Sequence, residues 1–297
     1  MRKSWKLGAV SVALMAALGL FGCSGGDTTE QKADKPAAPQ AETQAPEETK
    51  PEGEAVELQI FAANSLTKAM AEAEELYTQQ NPNVTFADTQ YEASGTLNEM
   101  LGAGQYADIL ITASKGTMDD AEAAELVDVD TREDMFVNDL VIIRAEGSDT
   151  KVEAIADVAN LEGKIAIGDA KTVPAGKYAN QALASVGLYT GIEGDDGEYA
   201  PEIADKVALA DKVGTAAAYV STGDCVAGFV YSSDIFRYDG IEEAFVCPED
   251  SHKPIVYPGA VADSSEHADE AKAFIDFCLT NKKAQKIWAK NGFELSA

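Results

Sequence analysis

From residue 58 onward the chain sets short apolar runs against segments of helical spacing, again and again. Residues 58–62 form the first run. Leu66, Ala69, Met70, Ala73, Leu76 and Tyr77 follow at helical intervals until Asn81-Pro82 stops the helix. Residues 84–87 and 107–112 read as further strands, with helices over 95–101 and 118–125. The same alternation resumes with strands at 140–144, 164–168 and 226–231 and helices at 177–186 and around 216–220. A run at 257–261 precedes a terminal helical segment over 270–289. Repeated strand–helix alternation specifies an α/β architecture with parallel strands covered by helices. The continuous apolar strand at 140–144 marks a crossover into a second lobe, and the chain returns near Tyr257. The expected division is residues 56–138 plus 258–297 for one lobe and 139–257 for the other.

The chain before residue 56 is of another kind. A basic start with Arg2, Lys3 and Lys6 precedes a short apolar stretch over residues 7–22, which reads as a signal peptide over 1–22 and is too short for a membrane span. It ends in Leu20-Phe-Gly-Cys23, which resembles the lipobox of bacterial lipoproteins. The resemblance implies cleavage before Cys23 and a diacylglycerol on its sulfur; an ordinary secretory signal with an incidental cysteine is the alternative. Residues 23–55 are rich in Glu, Ala, Pro, Thr, Gln and Lys and poor in bulky apolar side chains, so they read as a disordered tether. Anchor and tether together would hold a soluble domain beside a membrane, outside the cytoplasm.

The formal net charge is −28, and loss of the leader's three cations makes it more negative. That excludes nucleic acid as an expected partner. It also means that any anion site must work through local dipoles and hydrogen bonds. Of the remaining cysteines, Cys278 falls on the buried face of a helix, whereas Cys225 and Cys247 flank strand-like runs and a disulfide between them stays open. His252 and His267 lie in polar, loop-like sequence, and no Cys–His spacing suggests zinc.

Four helix starts share one character. Asn64-Ser65, Ala93-Ser94-Gly95-Thr96, Val173-Pro174-Ala175-Gly176 and Lys212-Val213-Gly214-Thr215 each lie near the end of a strand or extended run and begin a helix with small, mostly uncharged residues. Open α/β sheets bind ligands beyond the carboxyl ends of their strands, where helix N-termini gather. Each such start offers unpaired N–H groups and about half a positive charge. Taken singly, each is a capped helix, and Ser65 and Ser94 are good N-cap residues. Ala175 and Val213 cap nothing with their side chains, so only their backbones can contribute.

The segments FAANSLTKAM, YEASGTL, GDAKTVPAGKYA, DKVGTAAAYV, GFVYSSD and FVCPEDSHKPIVYP resemble, in this order, those of the molybdate-binding proteins of ABC importers. The resemblance covers essentially all of residues 56–297. It implies a type II periplasmic-binding-protein fold: two α/β lobes, each a mostly parallel sheet flanked by helices, closing on a ligand held in the cleft between them. It further implies that Ser65 and Ser94 from the first lobe give hydroxyl and backbone N–H groups to a tetrahedral oxyanion. Ala175 and Val213 from the second lobe would give backbone N–H groups, and Tyr231 its phenol. The implied ligand is molybdate, with tungstate close behind. Molybdenum would enter only as the oxyanion, with no further metal and no cofactor. The implied partner is an ABC transporter permease, and a monomer is expected. Asn64 departs from the small apolar residue of many relatives; its amide either donates to the ligand or caps the turn and faces away, and the second is the expectation. Gly95 makes its junction more flexible than a serine would. Asp108 and Asp234 are expected to order loops.

Two other functions remain open at the level of sequence. One is a receptor for another oxyanion such as sulfate, which has the same charge and shape and a smaller size. The other is a hydrolase using the same cleft, although no Gly-x-Ser-x-Gly elbow is present, no histidine sits in a motif near Ser65 or Ser94, and no carboxylate falls in the four junctions.

Overall fold

The apolar runs become strands in two separate sheets of the computed structural model, which describes residues 54–296. The signal peptide, Cys23 and nearly all of the tether therefore lie outside the described residues. The first sheet has six strands in the order Glu294–Leu295, Glu133–Asn138, Ile255–Val261, Ile109–Ile111, Ile60–Ala63, Gln90–Glu92. The second has five, in the order Ile241–Val246, Leu140–Ala145, Ala227–Tyr231, Ile165–Gly168, Val207–Ala210. A short parallel pair, Val56–Leu58 with Val84–Phe86, stands apart.

Both sheets are mixed. In the first, Gln90–Glu92, Ile60–Ala63 and Ile109–Ile111 run parallel, and the remaining neighbours are antiparallel. In the second, Val207–Ala210, Ile165–Gly168 and Ala227–Tyr231 run parallel, while Leu140–Ala145 runs antiparallel to both its neighbours, Ala227–Tyr231 and Ile241–Val246. The parallel half of each sheet is the half built from strand–helix units, because a parallel neighbour needs a crossover and a helix supplies it. The antiparallel halves contain the strands that carry the chain between lobes. Glu133–Asn138 belongs to the first sheet and Leu140–Ala145 to the second, with Asp139 between them. On the way back, Ile255 already pairs with Asn138 of the first sheet, ahead of the return at Tyr257 expected from sequence.

Helices cover the sheets by burying one stripe each. In Thr67–Gln80 the buried positions are Ala69, Met70, Ala73 and Tyr77, the spacing that the sequence shows. Tyr77 packs edge-on against Phe86, Phe274 and Phe277. The terminal helical segment is two helices, Ala268–Thr280 and Lys282–Lys290. Asn281 divides them: its Oδ1 accepts from the N–H groups of Lys283 (2.9 Å) and Ala284 (3.3 Å), so it caps the second helix.

Cys225, Cys247 and Cys278 are free and buried. Register explains why Cys225 and Cys247 do not pair. The Cys247 N–H bonds Leu140 O, and Leu140 is also the partner of Tyr231, so Cys247 stands level with the end of the strand Ala227–Tyr231, with Leu140–Ala145 between them. Cys225 stands before its start, roughly 20 Å away at the rise of a β-strand. A disulfide needs Cα atoms within about 7 Å.

Candidate functional site

The four small-residue junctions converge. Ser65, Ser94, Ala175, Val213 and Tyr231 line one cavity between the two sheets, together with Asn64, Glu92, Ala93, Ala113 and Val173. The strands Ile60–Ala63 and Ile165–Gly168 are buried at every position and end at the cavity's edge. Their chain direction puts helix N-termini there, as the parallel halves require.

The serines do not act as helix caps. The chain enters the helix Thr67–Gln80 through a single 3-10 turn over Asn64–Leu66, with no side-chain cap; the Thr67 hydroxyl turns back onto Asn64 O at 2.7 Å. Ser65 is buried, and its Oγ pairs with the Tyr257 hydroxyl at 2.9 Å. Ser94 is the first residue of the helix Ser94–Gly102, and its Oγ accepts from the Ala113 N–H at 3.0 Å. That contact leaves the Ser94 proton free to donate elsewhere. Ala175 follows Pro174 at the start of the helix Pro174–Ser185, and Val213 opens Val213–Ser221. Their N–H groups lie in first turns, where the helix itself supplies no acceptor.

Tyr231 ends its strand, is 1% exposed, and its hydroxyl oxygen has no hydrogen-bond partner among the described residues. Burial above all, with Tyr257, Tyr178 and Asp234 nearby, pushes its acidity constant well above that of an ordinary phenol. Tyr257 is shifted the same way, again chiefly by burial. Both phenols therefore keep their protons. The Asp234 carboxylate accepts from the Tyr231 N–H at 3.0 Å and from Arg237 at 2.7 and 3.1 Å, fixing the backbone beneath the phenol. Burial raises the Asp234 pKa, with Arg237 and the Tyr231 N–H opposing. Asp108 orders loops: it accepts from the Gln59 N–H and from the Tyr106 and Ser265 hydroxyls.

Asn64 neither points at open solvent nor caps its turn. Its Nδ2 donates to Tyr91 O at 3.3 Å, and its Oδ1 accepts from the Gly214 N–H at 3.1 Å and from Arg237 Nη2 at 3.3 Å. The amide thus crosses from the first sheet's side to the second's. Gly95 makes a second crossing, its N–H bonding Thr172 O at 2.9 Å. A Cβ at Gly95 would stand 2.8 Å from Thr172 Cα, so glycine here serves close approach between the lobes more than flexibility.

Among the described residues, no lysine or arginine lines the cavity. One carboxylate does, Glu92, from the strand just before the Ala93–Thr96 junction; its charge is met by Lys212 Nζ at 2.9 Å, again across the lobes. Tyr257 and Ala113 are further participants that the sequence did not single out. Tyr257 arrives on an antiparallel return strand, and only long-range register brings it beside Ser65. The cavity is small: about 10 Å³ is open to the centre of a water-sized sphere, close to the minimum that holds one water. As it stands, the space has no room for a sugar, nucleotide or peptide. The set of groups is rich in neutral donors, and no histidine is among them.

The family model described as bacterial extracellular solute-binding protein matches residues 58–294. This chain belongs to that family. It is a solute-binding protein and not an enzyme. It is 32% identical over 242 residues to the molybdate-binding protein ModA of Escherichia coli (strain K12), covering 80% of this chain and 88% of the relative. It is 30% identical to a putative ABC transporter substrate-binding lipoprotein, YvgL, of Bacillus subtilis (strain 168), covering 80% and 86%. Among solved structures it resembles the substrate-binding domain of a putative molybdenum ABC transporter from Clostridium difficile, at 34% identity and a TM-score of 0.61, covering 82% of this chain and all of that one.

Proposed function

We propose that this solute-binding protein captures molybdate, and tungstate with it, in the cavity between its lobes and delivers it to an ABC importer. The observation that carries the reading is the Tyr231 hydroxyl, buried and unpartnered, aimed into a cavity where first-turn N–H groups and two serine hydroxyls meet. Ser65, Ser94, Ala175, Val213 and Tyr231 are the proposed ligand contacts. Molybdate is a dianion at neutral pH, and its oxygens only accept hydrogen bonds. Donors aimed at it suffice, each charge-assisted bond being worth about 1.5–3 kcal/mol. A protonated oxyanion such as hydrogen phosphate also needs an acceptor, and the one carboxylate at hand is engaged by Lys212. The names of the ModA relatives support the choice of molybdate over other oxyanions.

Residues 56–138 with 255–297, and 139–254, are the proposed lobes, the return lying three residues ahead of the boundary expected from sequence because Ile255 pairs with Asn138. The protein is proposed to work as a monomer, held at the outer face of the membrane by a lipid on Cys23. The test is thermal denaturation with a panel of oxyanions. Ligand at a hundred times its Kd adds about 2.7 kcal/mol, which raises the Tm of a chain this size by roughly 5–10 °C. Molybdate and tungstate should do so. A rise with sulfate alone would make the protein a sulfate receptor, and no rise with any oxyanion would refute the proposal.

A further inference from the structure

We propose that Asn64, acting with Arg237, is a latch that holds the two lobes together, and that it is a positioning residue rather than a ligand contact. The inference deepens the proposed function and rests on it only for the identity of the ligand. Asn64 follows the first sheet's strand Ile60–Ala63, whereas Gly214 and Arg237 follow strands of the second. All the amide's polar atoms are engaged: Nδ2 at Tyr91 O within the first lobe, Oδ1 at the Gly214 N–H and Arg237 Nη2 of the second. Arg237 Nη1 also donates to the backbone oxygen of Asn64 and to Thr67 Oγ1 (3.1 Å). The guanidinium is held from behind by the buried Asp234 carboxylate, which also accepts from the Tyr231 N–H.

This arrangement has two consequences. Gly214 carries one of the N–H groups at the start of Val213–Ser221 that the helix leaves without an acceptor, and Asn64 Oδ1 takes it. Asn64 therefore limits what the start of Val213–Ser221 presents to the ligand to the Val213 N–H, beside the Ala175 N–H and the Tyr231 phenol of the same lobe. The same network joins the proposed ligand phenol to the interlobe contact through Asp234, so the position of Tyr231 and closure are mechanically connected. Gly214 has to be glycine for this contact: a Cβ there would lie 2.6 Å from Asn64 Oδ1 and 2.2 Å from the Tyr238 hydroxyl.

The experiment is single-molecule energy transfer in the full-length protein, with one dye on each lobe away from the cleft, comparing wild type with Asn64→Ala, Arg237→Lys and the double variant. Lysine keeps a cation for Asp234 but cannot also reach Asn64 with a planar fork. Closed and open populations are read without ligand and then with molybdate. The expected result is a closed population in ligand-free wild type that Asn64→Ala depletes about tenfold, the worth of roughly one to two hydrogen bonds. Arg237→Lys should act in the same direction, and the double variant should lose more than either single but less than the product of the two, because the Nη2–Oδ1 bond is lost in both. Equal closed populations in wild type and Asn64→Ala, or single effects that multiply in the double variant, would overturn the latch. The ligand-free arm keeps the two proposals apart: a protein that latches but ignores molybdate refutes the ligand and not the latch.

Discussion

Replacing Tyr231 by Phe should move stability and affinity in ways that no simple packing defect imitates. The ring is packed edge-on against Tyr178 and Tyr257, with centroids 6.5 and 5.7 Å away, and phenylalanine keeps those contacts. Only the hydroxyl is lost. In the ligand-free protein that oxygen is buried without a partner, a condition that costs about 1–3 kcal/mol. Its removal should therefore leave the ligand-free Tm unchanged or raise it by a few degrees, at roughly 2–4 °C per kcal/mol. In the complex the same hydroxyl would donate to a doubly charged oxygen, a bond worth about 1.5–3 kcal/mol. Affinity should fall about 10- to 150-fold. Calorimetric titration with molybdate and thermal melting of the ligand-free protein measure the two quantities. Unchanged affinity would remove Tyr231 from the site. A Tm that falls together with affinity would show a packing role and refute the reasoning.

Four further outcomes follow from the same structure. Gly95→Ala should lower stability in the ligand-free state by about 1–3 kcal/mol, the usual cost of overpacking, and weaken binding as well, because its Cβ meets the Thr172 backbone across the lobes; melting and calorimetric titration together check this. Ser94→Ala should lower both affinity and Tm, each by on the order of 1–2 kcal/mol, because the Oγ accepts from Ala113 as well as facing the cavity. Asn281→Ala should lower Tm by roughly 2–4 °C through loss of a cap worth about 1 kcal/mol and leave molybdate affinity untouched, which makes it the control for the other variants. Burial pushes the Cys247 thiol up to about 12 and raises Cys225 and Cys278 in the same direction. A folded-state pKa above the unfolded one stabilises below the unfolded value, and that stability is lost as pH rises through the folded value. Denaturant melts should therefore show stability falling in the alkaline range between about 9 and 12, with thiol reagents at pH 8 modifying only unfolded protein.

How much of this was legible in the sequence depends on where each signal resides. The junctions at Asn64-Ser65, Ser94, Ala175 and Val213 were legible because a strand, a small-residue turn and a helix lie within a few consecutive residues. What those residues do was less so. Ser65 and Ser94 look like caps to any local rule, yet one pairs with Tyr257 and the other with Ala113, contacts that span 192 and 19 residues. Asn64 was expected to face away; the structure instead stretches it across the cleft, because Gly214 and Arg237 arrive from a different sheet. The strands Gln90–Glu92 and Val207–Ala210 escaped notice because each is an edge strand with no fully alternating buried face. The antiparallel half of each sheet escaped for the related reason that strand order is set by pairing at long range and by no local pattern. Asn281 shows the reverse: a single polar residue in an otherwise helical stretch was a break that its capping chemistry could have disclosed.

The most direct measurement is a calorimetric titration of the purified protein, stripped of bound anion, with molybdate, followed by competition with tungstate, sulfate and phosphate. The account predicts one molybdate per chain, full competition by tungstate, and little or none by sulfate or phosphate. Binding of sulfate or phosphate with molybdate excluded would contradict it.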